Sequence, residues 1–235
     1  MPDPGLIFPA QPPVTLPIEG ATQRFPVHRI YCVGRNYAEH TREMGFDPVR
    51  EEPFFFQKNP DALIACAAGV EALFPYPSAS QDVHHEIELV AVLGSGGRDI
   101  QVARALEHVF GYAVGLDMTR RDLQGVAKKM GRPWEVGKAF DHSAPCSGIV
   151  PVARIGHVAK GAIWLDVNGV RRQTGDVADM IWKLPEVIST LSTLWELKAG
   201  DVIFTGTPAG VGAVVRGDVM EGGVAGVGAV RVRVT

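Results

Sequence analysis

The chain has 235 residues, of which 46% are hydrophobic and 21% charged, and its formal net charge is −3 at pH 7. This length and composition suit one large domain with a sizeable core and exclude a globally disordered chain. The weak negative charge gives no electrostatic basis for binding nucleic acid, and no apolar run approaches the ~20 residues of a membrane span.

The start of the chain is rich in proline and is predicted to be an extended surface arm over residues 1–25, followed by a single domain over residues 26–235. It lacks a basic region followed by a hydrophobic stretch, so we expect no signal peptide. The cysteines, Cys32, Cys66 and Cys146, are far apart and have no zinc-binding spacing. Buried, reduced thiols in a cytoplasmic protein are therefore expected.

The first half of the chain contains three predicted strands, over residues 28–34, 53–58 and 86–94. Between the first two, residues 36–45 are predicted to form a short helix. Asn36 can cap its first turn, Glu39 occupies the capping-box position three residues later, and Gly45 can end the helix.

The second half is predicted to contain an amphipathic helix over 102–110, a strand over 111–118, helices over 119–129 and 184–197, and strands over 201–208 and 229–234. Thr119 and Asp122 have capping-box spacing, and Asn168-Gly169 suits the type I′ turn of a hairpin over 162–173. Strands dominate, and 27 glycines and 17 prolines supply turns. We therefore predict a β-rich α+β domain, a mixed sandwich, roll or barrel with few helices, and not a doubly wound sheet.

Two glutamates stand two residues apart in the apolar segment HHEIELVAVLG, residues 84–94. On one strand, Glu86 and Glu88 point the same way with Cα atoms about 6.6 Å apart. Buried together they repel, and a divalent cation such as Mg²⁺, Mn²⁺ or Ca²⁺ relieves this cost. Asp117, at the end of the next apolar strand, is a candidate third ligand. The alternatives are that the glutamates face solvent and that Asp117 forms a turn or helix cap.

His40 and Glu43 share one face of the first predicted helix, so the carboxylate can orient the imidazole as a general base for water. The alternative is a solvated helix face. Lys58 and Lys138 are isolated lysines, for which the surface is the default expectation. The segment TGTPAGVG, residues 205–212, can present amides and hydroxyls to a carboxylate, or it can be a tight turn.

Five stretches in this order resemble the fumarylacetoacetate hydrolase superfamily. They are CVGRNYAEH (32–40), HHEIEL (84–89), GYAVGLDMTRRDLQ (111–124), WEVGKAFD (134–141) and IFTGTPAGVG (203–212). The similarity runs from about residue 30 to the end of the chain and is greatest to the acylpyruvate and fumarylpyruvate hydrolases. It implies the β-rich catalytic-domain fold of that superfamily, usually as a homodimer.

The resemblance also implies roles for particular residues, which are as follows: Mg²⁺ or Mn²⁺ held by Glu86, Glu88 and Asp117, a water-activating pair His40–Glu43, an active-site lysine Lys138, and substrate-pocket groups Arg121, Gln124 and Thr207, with Arg35 and Lys58 in matching motifs. The implied substrate is a small 2-oxo acid. The distal carboxylate of a fumaryl substrate could bind Arg35, Arg42 or Arg121, and the sequence does not choose among them.

Three functional hypotheses follow. The first is hydrolysis of the C–C bond of an acylpyruvate, with fumarylpyruvate favoured, and the His40–Glu43 pair favours it because hydrolysis needs an activated water. The second is an isomerase or decarboxylase of a 2-oxo diacid, such as oxaloacetate or a hydroxymuconate derivative. The third is a non-catalytic protein with a structural cation site. Residues 45–53, GFDPVREEP, are a candidate lid or an ordinary connecting loop.

Overall fold

The structure is a computed structural model that describes residues 5–43 and 51–235. Within these ranges the strands are β1 (Thr15–Pro17), β2 (Arg24–Pro26), β3 (Ile30–Gly34), β4 (Phe54–Lys58), β5 (Leu63–Cys66), β6 (Ala72–Phe74), β7 (Val83–His85), β8 (Ile87–Leu93), β9 (Val109–Leu116), β10 (Thr119–Arg120), β11 (Ala144–Ser147), β12 (Val150–Pro151), β13 (Ala162–Val167), β14 (Val170–Asp176), β15 (Val202–Phe204), β16 (Gly212–Val214), β17 (Val219–Val224) and β18 (Gly228–Val234). The α-helices are α1 (Ala38–Glu43), α2 (Arg121–Lys129), α3 (Glu135–Lys138), α4 (Val152–Ile155) and α5 (Leu184–Leu194), and 3₁₀ helices cover Pro60–Ala62, Val102–His108 and Val177–Asp179.

A large mixed sheet forms the centre of the fold, with strand order β4-β3-β15-β8-β9-β11-β5 and with β12 beside β9. Strand β8 lies in the middle, and all seven of its residues are buried. Alternation along β8 sends Leu89 and Leu93 into one apolar cluster and Val90 and Val92 into another. Because this strand is covered on both faces, its sequence is apolar almost throughout.

A second sheet, with order β14-β13-β17-β18-β6, covers one face of the central sheet. Its Leu165 and Val232 belong to the same apolar cluster as Leu89. The β1–β2 hairpin covers the other face, where its Leu16 and Phe25 are buried. These layers confirm the predicted β-rich α+β class.

The predicted hairpin over 162–173 forms as β13 and β14, which pair in antiparallel register around Asn168 and Gly169. The φ angles of these two residues are +52° and +76°, as a type I′ turn requires. The predicted strands near residues 30, 55, 90, 112 and 203 form as β3, β4, β8, β9 and β15.

Two helix predictions in the middle of the chain need correction. Residues 102–108 form a 3₁₀ helix instead of an amphipathic α-helix: the Arg104 amide donates to the Gln101 carbonyl, three residues back, at 2.9 Å, and residues 109 and 110 already belong to β9. The predicted Thr119–Asp122 capping box is wrong. Thr119 lies in β10 opposite His84, and α2 begins after it at Arg121 without a side-chain cap.

The division into an arm over 1–25 and a domain over 26–235 stays a prediction, although part of that first segment packs on the central sheet through Leu16 and Phe25. All three cysteines are buried and unpaired, as expected. In the part of the chain that the structure describes, no helix has the length and apolar character needed to cross a membrane.

Candidate active site

Glu86 and Glu88 flank the first residue of β8. Glu86 lies in the one-residue break between β7 and β8, and Glu88 is the second residue of β8. Their exposed fractions are 5% and 2%. The alternative in which these glutamates face solvent is therefore wrong, and two adjacent carboxylates lie inside the protein.

Asp117 follows the last residue of β9, the antiparallel neighbour of β8. Its backbone amide donates to the Glu86 carbonyl at 2.8 Å, which carries the strand pairing one step past the end of β9. One carboxylate oxygen from each of Glu86, Glu88 and Asp117 lies within 4.8 Å of the other two. The sheet register thus brings together residues that are about thirty positions apart in the chain.

Both lysines are buried against these carboxylates, so the default expectation of surface lysines is wrong. The Lys138 Nζ donates to Glu86 Oε2 at 2.7 Å, to Asp117 Oδ2 at 2.6 Å and to Thr119 Oγ1 at 2.7 Å. An ammonium group has three hydrogens, so all of its donors are used. The Lys58 Nζ donates to the carbonyls of Met118 and Lys138 and lies behind Asp117.

Charge is nearly balanced around the three carboxylates, because Lys58, Lys138 and Arg121 supply three cations. Burial alone would raise the pKa of Glu86, but Lys138 and Arg121 hold that pKa well below its usual range. The pKa of Glu88 is raised well above its usual value, first by burial and then by repulsion from Asp117 and Glu86. The centre therefore has a carboxylate whose ionised form needs more positive charge nearby.

The donor set fits a hard divalent cation. Asp117 Oδ1 is buried and has no hydrogen-bond donor among the described residues, although the Lys58 Nζ lies 2.8 Å away outside hydrogen-bond geometry. Glu88 Oε2 accepts a bond of 2.7 Å from the Gly206 amide. Three carboxylates with spare oxygen lone pairs are ligands that suit Mg²⁺ or Mn²⁺ and leave positions open for other oxygen ligands.

Helix α2 supplies two of the predicted substrate-pocket residues. The Arg121 guanidinium donates from Nη2 to Glu86 Oε1 at 2.6 Å and from Nη1 to Gln124 Oε1 at 2.7 Å. Because Gln124 Oε1 already accepts from Arg121, the amide nitrogen of Gln124 is the end that can donate to a ligand. Arg121 is thus a partner of the carboxylates and also orients Gln124.

His40 and Glu43 lie on α1. His40 is 4% exposed, and its Nδ1 lies 3.1 Å from Glu43 Oε2. Glu43 also accepts from the Gly210 amide at 3.2 Å, so the TGTPAGVG loop fixes the carboxylate from the opposite side. With Nδ1 paired to Glu43, Nε2 is the imidazole nitrogen left for a water molecule.

The predicted cap of this helix is wrong. The Asn36 amide donates to the carbonyls of Trp182 and Thr205, and its Oδ1 accepts from the Trp182 amide at 2.7 Å. Asn36 therefore ties three segments together, and α1 begins at Ala38. The proposed helix end at Gly45 and residues 45–50 of the candidate lid (45–53) lie outside the described residues.

One cavity joins the three carboxylates, the candidate cation ligands, to the imidazole. Its lining consists of Val33, Gly34, Arg35, His40, Phe56, Glu86, Glu88, Asp117, Gln124, Trp134, Lys138 and Thr207. Glu43, Arg121 and Lys58 lie behind this lining. Arg35 has a φ of +56°, and its guanidinium carbon lies 5.8 Å from the centre of the Phe54 ring. The Thr207 hydroxyl is turned inward and donates to the Ile87 carbonyl at 2.7 Å.

Three residues that hold this centre together were not among the predicted site residues. Thr119 accepts from Lys138, and the Gly206 amide donates to Glu88. Gln173 bonds the Ile87 amide and the Thr207 hydroxyl. Thr119 and Gly206 lie in stretches that carry the family resemblance and could have been found there. Gln173 lies on β14, within the hairpin of the second sheet, and carries no local signal.

Comparison with known proteins places the chain in a family. A family model described as fumarylacetoacetate (FAA) hydrolase C-terminal matches residues 29–235. A solved structure of fumarylpyruvate hydrolase from Pseudomonas aeruginosa, in complex with Mn²⁺ and pyruvate, is 55% identical, covers 98% of this chain and 99% of its own, and superposes with a TM-score of 0.97.

Two further relatives are named for activities that differ from each other. A fumarylpyruvate hydrolase of Ralstonia is 46% identical over 177 residues, which are 75% of this chain and 90% of that protein. An oxaloacetate tautomerase of Escherichia coli K12 is 44% identical over 201 residues, 85% of this chain and 90% of that protein. The chain belongs to the fumarylacetoacetate hydrolase family.

Proposed function

We propose that this protein is a divalent-cation-dependent hydrolase that cleaves the C3–C4 bond of a 3-acylpyruvate, with fumarylpyruvate as the favoured substrate and fumarate and pyruvate as products. The observation that carries this proposal is the shared cavity, in which His40, paired to Glu43, faces the same space as Glu86, Glu88 and Asp117. The Pseudomonas aeruginosa relative, crystallised with Mn²⁺ and pyruvate, supports both the cation and the product.

The cation would be held by Glu86, Glu88 and Asp117. When bound there, it would polarise the oxygens of the 2-oxo acid and stabilise negative charge on the departing pyruvyl fragment. The protein residues have the remaining tasks, which are to bind the substrate, to activate water and to stabilise charge at the acyl carbon.

Water activation falls to His40. Glu43 fixes the imidazole through Nδ1, so Nε2 accepts a proton as the water oxygen attacks C4. The electron pair of the C3–C4 bond then leaves with the pyruvyl fragment, which takes up a proton at C3 to become pyruvate. The acyl fragment leaves as a carboxylic acid, so one water molecule is consumed for each bond broken.

The oxyanion that forms at C4 needs donors from the chain. Lys138 is the family's active-site lysine, and it can donate once it exchanges one of its three present contacts. Gln124 has an amide nitrogen available, because Arg121 holds its oxygen. Loss of one such donor typically costs roughly 10²–10³ in rate.

The distal carboxylate of fumarylpyruvate is assigned to Arg35. Arg121 lies behind the cavity lining, where it holds Glu86 and Gln124. Arg42 pairs with Glu39 on the exposed side of α1. Arg35 lines the cavity itself, and its guanidinium can form a bidentate contact with a carboxylate.

A second candidate function is tautomerisation of oxaloacetate, which the Escherichia coli relative supports. This reaction moves a proton between carbon and oxygen and consumes no water, so it could use the same carboxylates and His40 without an attack on C4. The two functions therefore differ in their products and not in their cation requirement.

The test incubates the purified protein with fumarylpyruvate, acetylpyruvate or oxaloacetate, with Mn²⁺ or with EDTA. We expect the diketone absorbance of fumarylpyruvate to fall together with release of equimolar fumarate and pyruvate, and EDTA should abolish both. Loss of absorbance without pyruvate, or faster turnover of enol-oxaloacetate than of fumarylpyruvate, would favour the tautomerase instead.

A homodimer and a cytoplasmic location are part of the same proposal and rest on the family resemblance and the composition. Light scattering of the purified protein tests the dimer directly, since a mass near 25 kDa would identify a monomer.

A further inference from the structure

Gln173 is a fully buried glutamine on β14, a strand of the second sheet. Its side chain reaches the central sheet at the break between β7 and β8, beside the cation-binding carboxylates. Its Oε1 accepts from the Ile87 amide at 3.1 Å and lies 2.9 Å from His85 Nδ1. Its Nε2 donates to Thr207 Oγ1 and to the Pro208 carbonyl, both at 2.8 Å.

The orientation of this amide is fixed by its partners. The Ile87 amide can only donate and the Pro208 carbonyl can only accept, so exchanging Oε1 and Nε2 would break both bonds. All four hydrogen-bonding positions of the Gln173 amide are then used, and His85 must donate from Nδ1. A buried amide with every position satisfied is a rigid connection between two segments.

The two segments are those that carry the centre. Strand β15 ends at Phe204, and the Thr205 amide still bonds the Leu89 carbonyl at 3.1 Å. One step further on, the Ile87 carbonyl accepts from the Thr207 hydroxyl, and the Ile87 amide donates to Gln173. Gln173 and Thr207, bonded to each other, thus replace the missing backbone of a neighbouring strand.

Ile87 is the residue between Glu86 and Glu88, so its two peptide groups determine how both carboxylates project. We infer that Gln173 is a positioning residue that sets the affinity of the centre for its divalent cation, by holding the peptide groups of Ile87 against the TGTPAGVG loop. This inference rests on the cation site of the proposed function and adds a residue that touches neither cation nor substrate.

The test measures Mn²⁺ binding without turnover, by following free Mn²⁺ in an electron paramagnetic resonance titration. Gln173→Met keeps the length of the side chain and removes all four hydrogen bonds, and it should weaken Mn²⁺ binding by roughly 10–100-fold, as loss of an outer partner of a metal ligand typically does. Thr207→Val removes the other half of the pair and should weaken binding in the same direction.

The double variant Gln173→Met/Thr207→Val distinguishes positioning from general damage. Because the two side chains act as one unit, the double variant should bind Mn²⁺ about as weakly as Gln173→Met alone. The control is Ser192→Ala on α5. The hydroxyl of this fully buried serine accepts from the Ile100 amide and donates to the Ser189 carbonyl, away from the cavity. It should lower the melting temperature and leave Mn²⁺ binding unchanged.

Several results would overturn the inference. These are Mn²⁺ binding by Gln173→Met within twofold of the wild type, losses that multiply fully in the double variant, or an equal loss in Ser192→Ala. If Gln173→Met does not fold, Mn²⁺ binding by Thr207→Val that equals that of the wild type would also overturn the inference. If the wild-type protein binds no Mn²⁺, the cation site of the proposed function fails and this inference fails with it.

Discussion

The carboxylate centre and the His40–Glu43 pair meet in one cavity, but the protein holds them in different ways. Glu86, Glu88 and Asp117 extend from two strands in the middle of the central sheet, and each is at least 95% buried. His40 and Glu43 come from a helix of six residues, and the Glu43 side chain is 37% exposed. A helix of this length is not stable alone and depends on the contacts around it.

This difference separates two kinds of function. The centre stores opposite charges inside a low-dielectric sheet, where each charge also contributes to folding, because removal of one partner leaves the other buried and uncompensated. The helix edge carries His40, the proposed base, which is itself buried, and the partly exposed Glu43 that holds it. Changes in the centre should therefore affect stability and cation binding together, whereas changes at the helix edge should affect turnover more than cation binding.

Asp117→Asn should have the largest effect. The substitution removes the negative charge that Lys58 and Lys138 share and leaves two buried ammonium groups without their common partner. We expect a loss of roughly 3–5 kcal/mol in the free energy of unfolding and loss of Mn²⁺ binding. Urea denaturation measures the loss in the free energy of unfolding, and titration with Mn²⁺ measures the loss of binding.

The control for this prediction is Glu107→Gln, which removes a carboxylate from an exposed ion pair with Arg104 and should leave stability close to that of the wild type. If Asp117→Asn were as stable as Glu107→Gln, the buried lysines would not depend on Asp117 in the way their contacts indicate.

His40→Ala should reverse that pattern. It removes the proposed base but none of the lysine and arginine partners of the centre, so we expect kcat on fumarylpyruvate to fall by ~10²–10⁴ while Mn²⁺ affinity stays near the wild-type value. Because His40 is buried, some stability is lost as well, but less than in Asp117→Asn. Glu43→Gln keeps a hydrogen-bond acceptor for His40 and should cost less. Near-normal kcat in His40→Ala would make the assignment of the base wrong, and a stability loss equal to that of Asp117→Asn would remove the distinction between the two regions.

Arg35→Gln should change substrate preference more than turnover. If Arg35 binds the distal carboxylate, the ratio of kcat/KM for fumarylpyruvate to kcat/KM for acetylpyruvate should fall by at least about tenfold, because acetylpyruvate lacks that carboxylate. Arg42→Gln, on the exposed side of α1, is the matched control and should leave the ratio unchanged. An equal fall for both substrates in Arg35→Gln would place the distal carboxylate elsewhere.

The two regions also differ in how far the sequence predicts them. The period of two along residues 86–94 and the end of the next apolar strand made Glu86, Glu88 and Asp117 candidate partners, because strand alternation and antiparallel pairing are regular. The family resemblance was needed to choose this set over glutamates that face solvent. The spacing of His40 and Glu43 on a helix was likewise readable. What the strand pattern did not contain is the break at Glu86, which lies between β7 and β8.

Long-range partners were beyond sequence patterns. The local default for Lys58 and Lys138 was the surface, since nothing near them in the chain shows that folding would bring both to Asp117. Only the family resemblance marked them as site residues. Asn36 and Thr119 have cap-forming side chains, and each instead bonds groups brought close by tertiary structure. In both cases a buried polar group far away in the chain, the Thr205 carbonyl or the Lys138 ammonium, takes the side chain that local propensity assigns to a helix cap.

Asp122→Asn should have the smallest effect and tests whether the rim of the cavity is independent of the centre. Asp122 lies on α2 beside Arg121, and its carboxylate accepts from the Ser80 hydroxyl at 2.7 Å and from the Gln81 amide at 3.0 Å. Partial burial acts to raise its pKa, but these hydrogen bonds outweigh burial and hold the pKa below its usual value.

The folded state therefore binds this proton less readily than the unfolded chain, so the carboxylate stabilises the fold above about pH 4 and loses that contribution as pH falls through the folded pKa. Because the carboxylate is half-buried and screened, the difference between wild type and Asp122→Asn should be at most about 1 kcal/mol at pH 7 and should shrink toward pH 3. Urea denaturation across this range measures it, with Asp61→Asn as an exposed control that should show little difference at any pH. A change in Mn²⁺ affinity comparable to that of Asp117→Asn would mean that α2 and the centre respond as one unit. Helix α2, which carries Arg121, would then have to be counted as part of the buried centre.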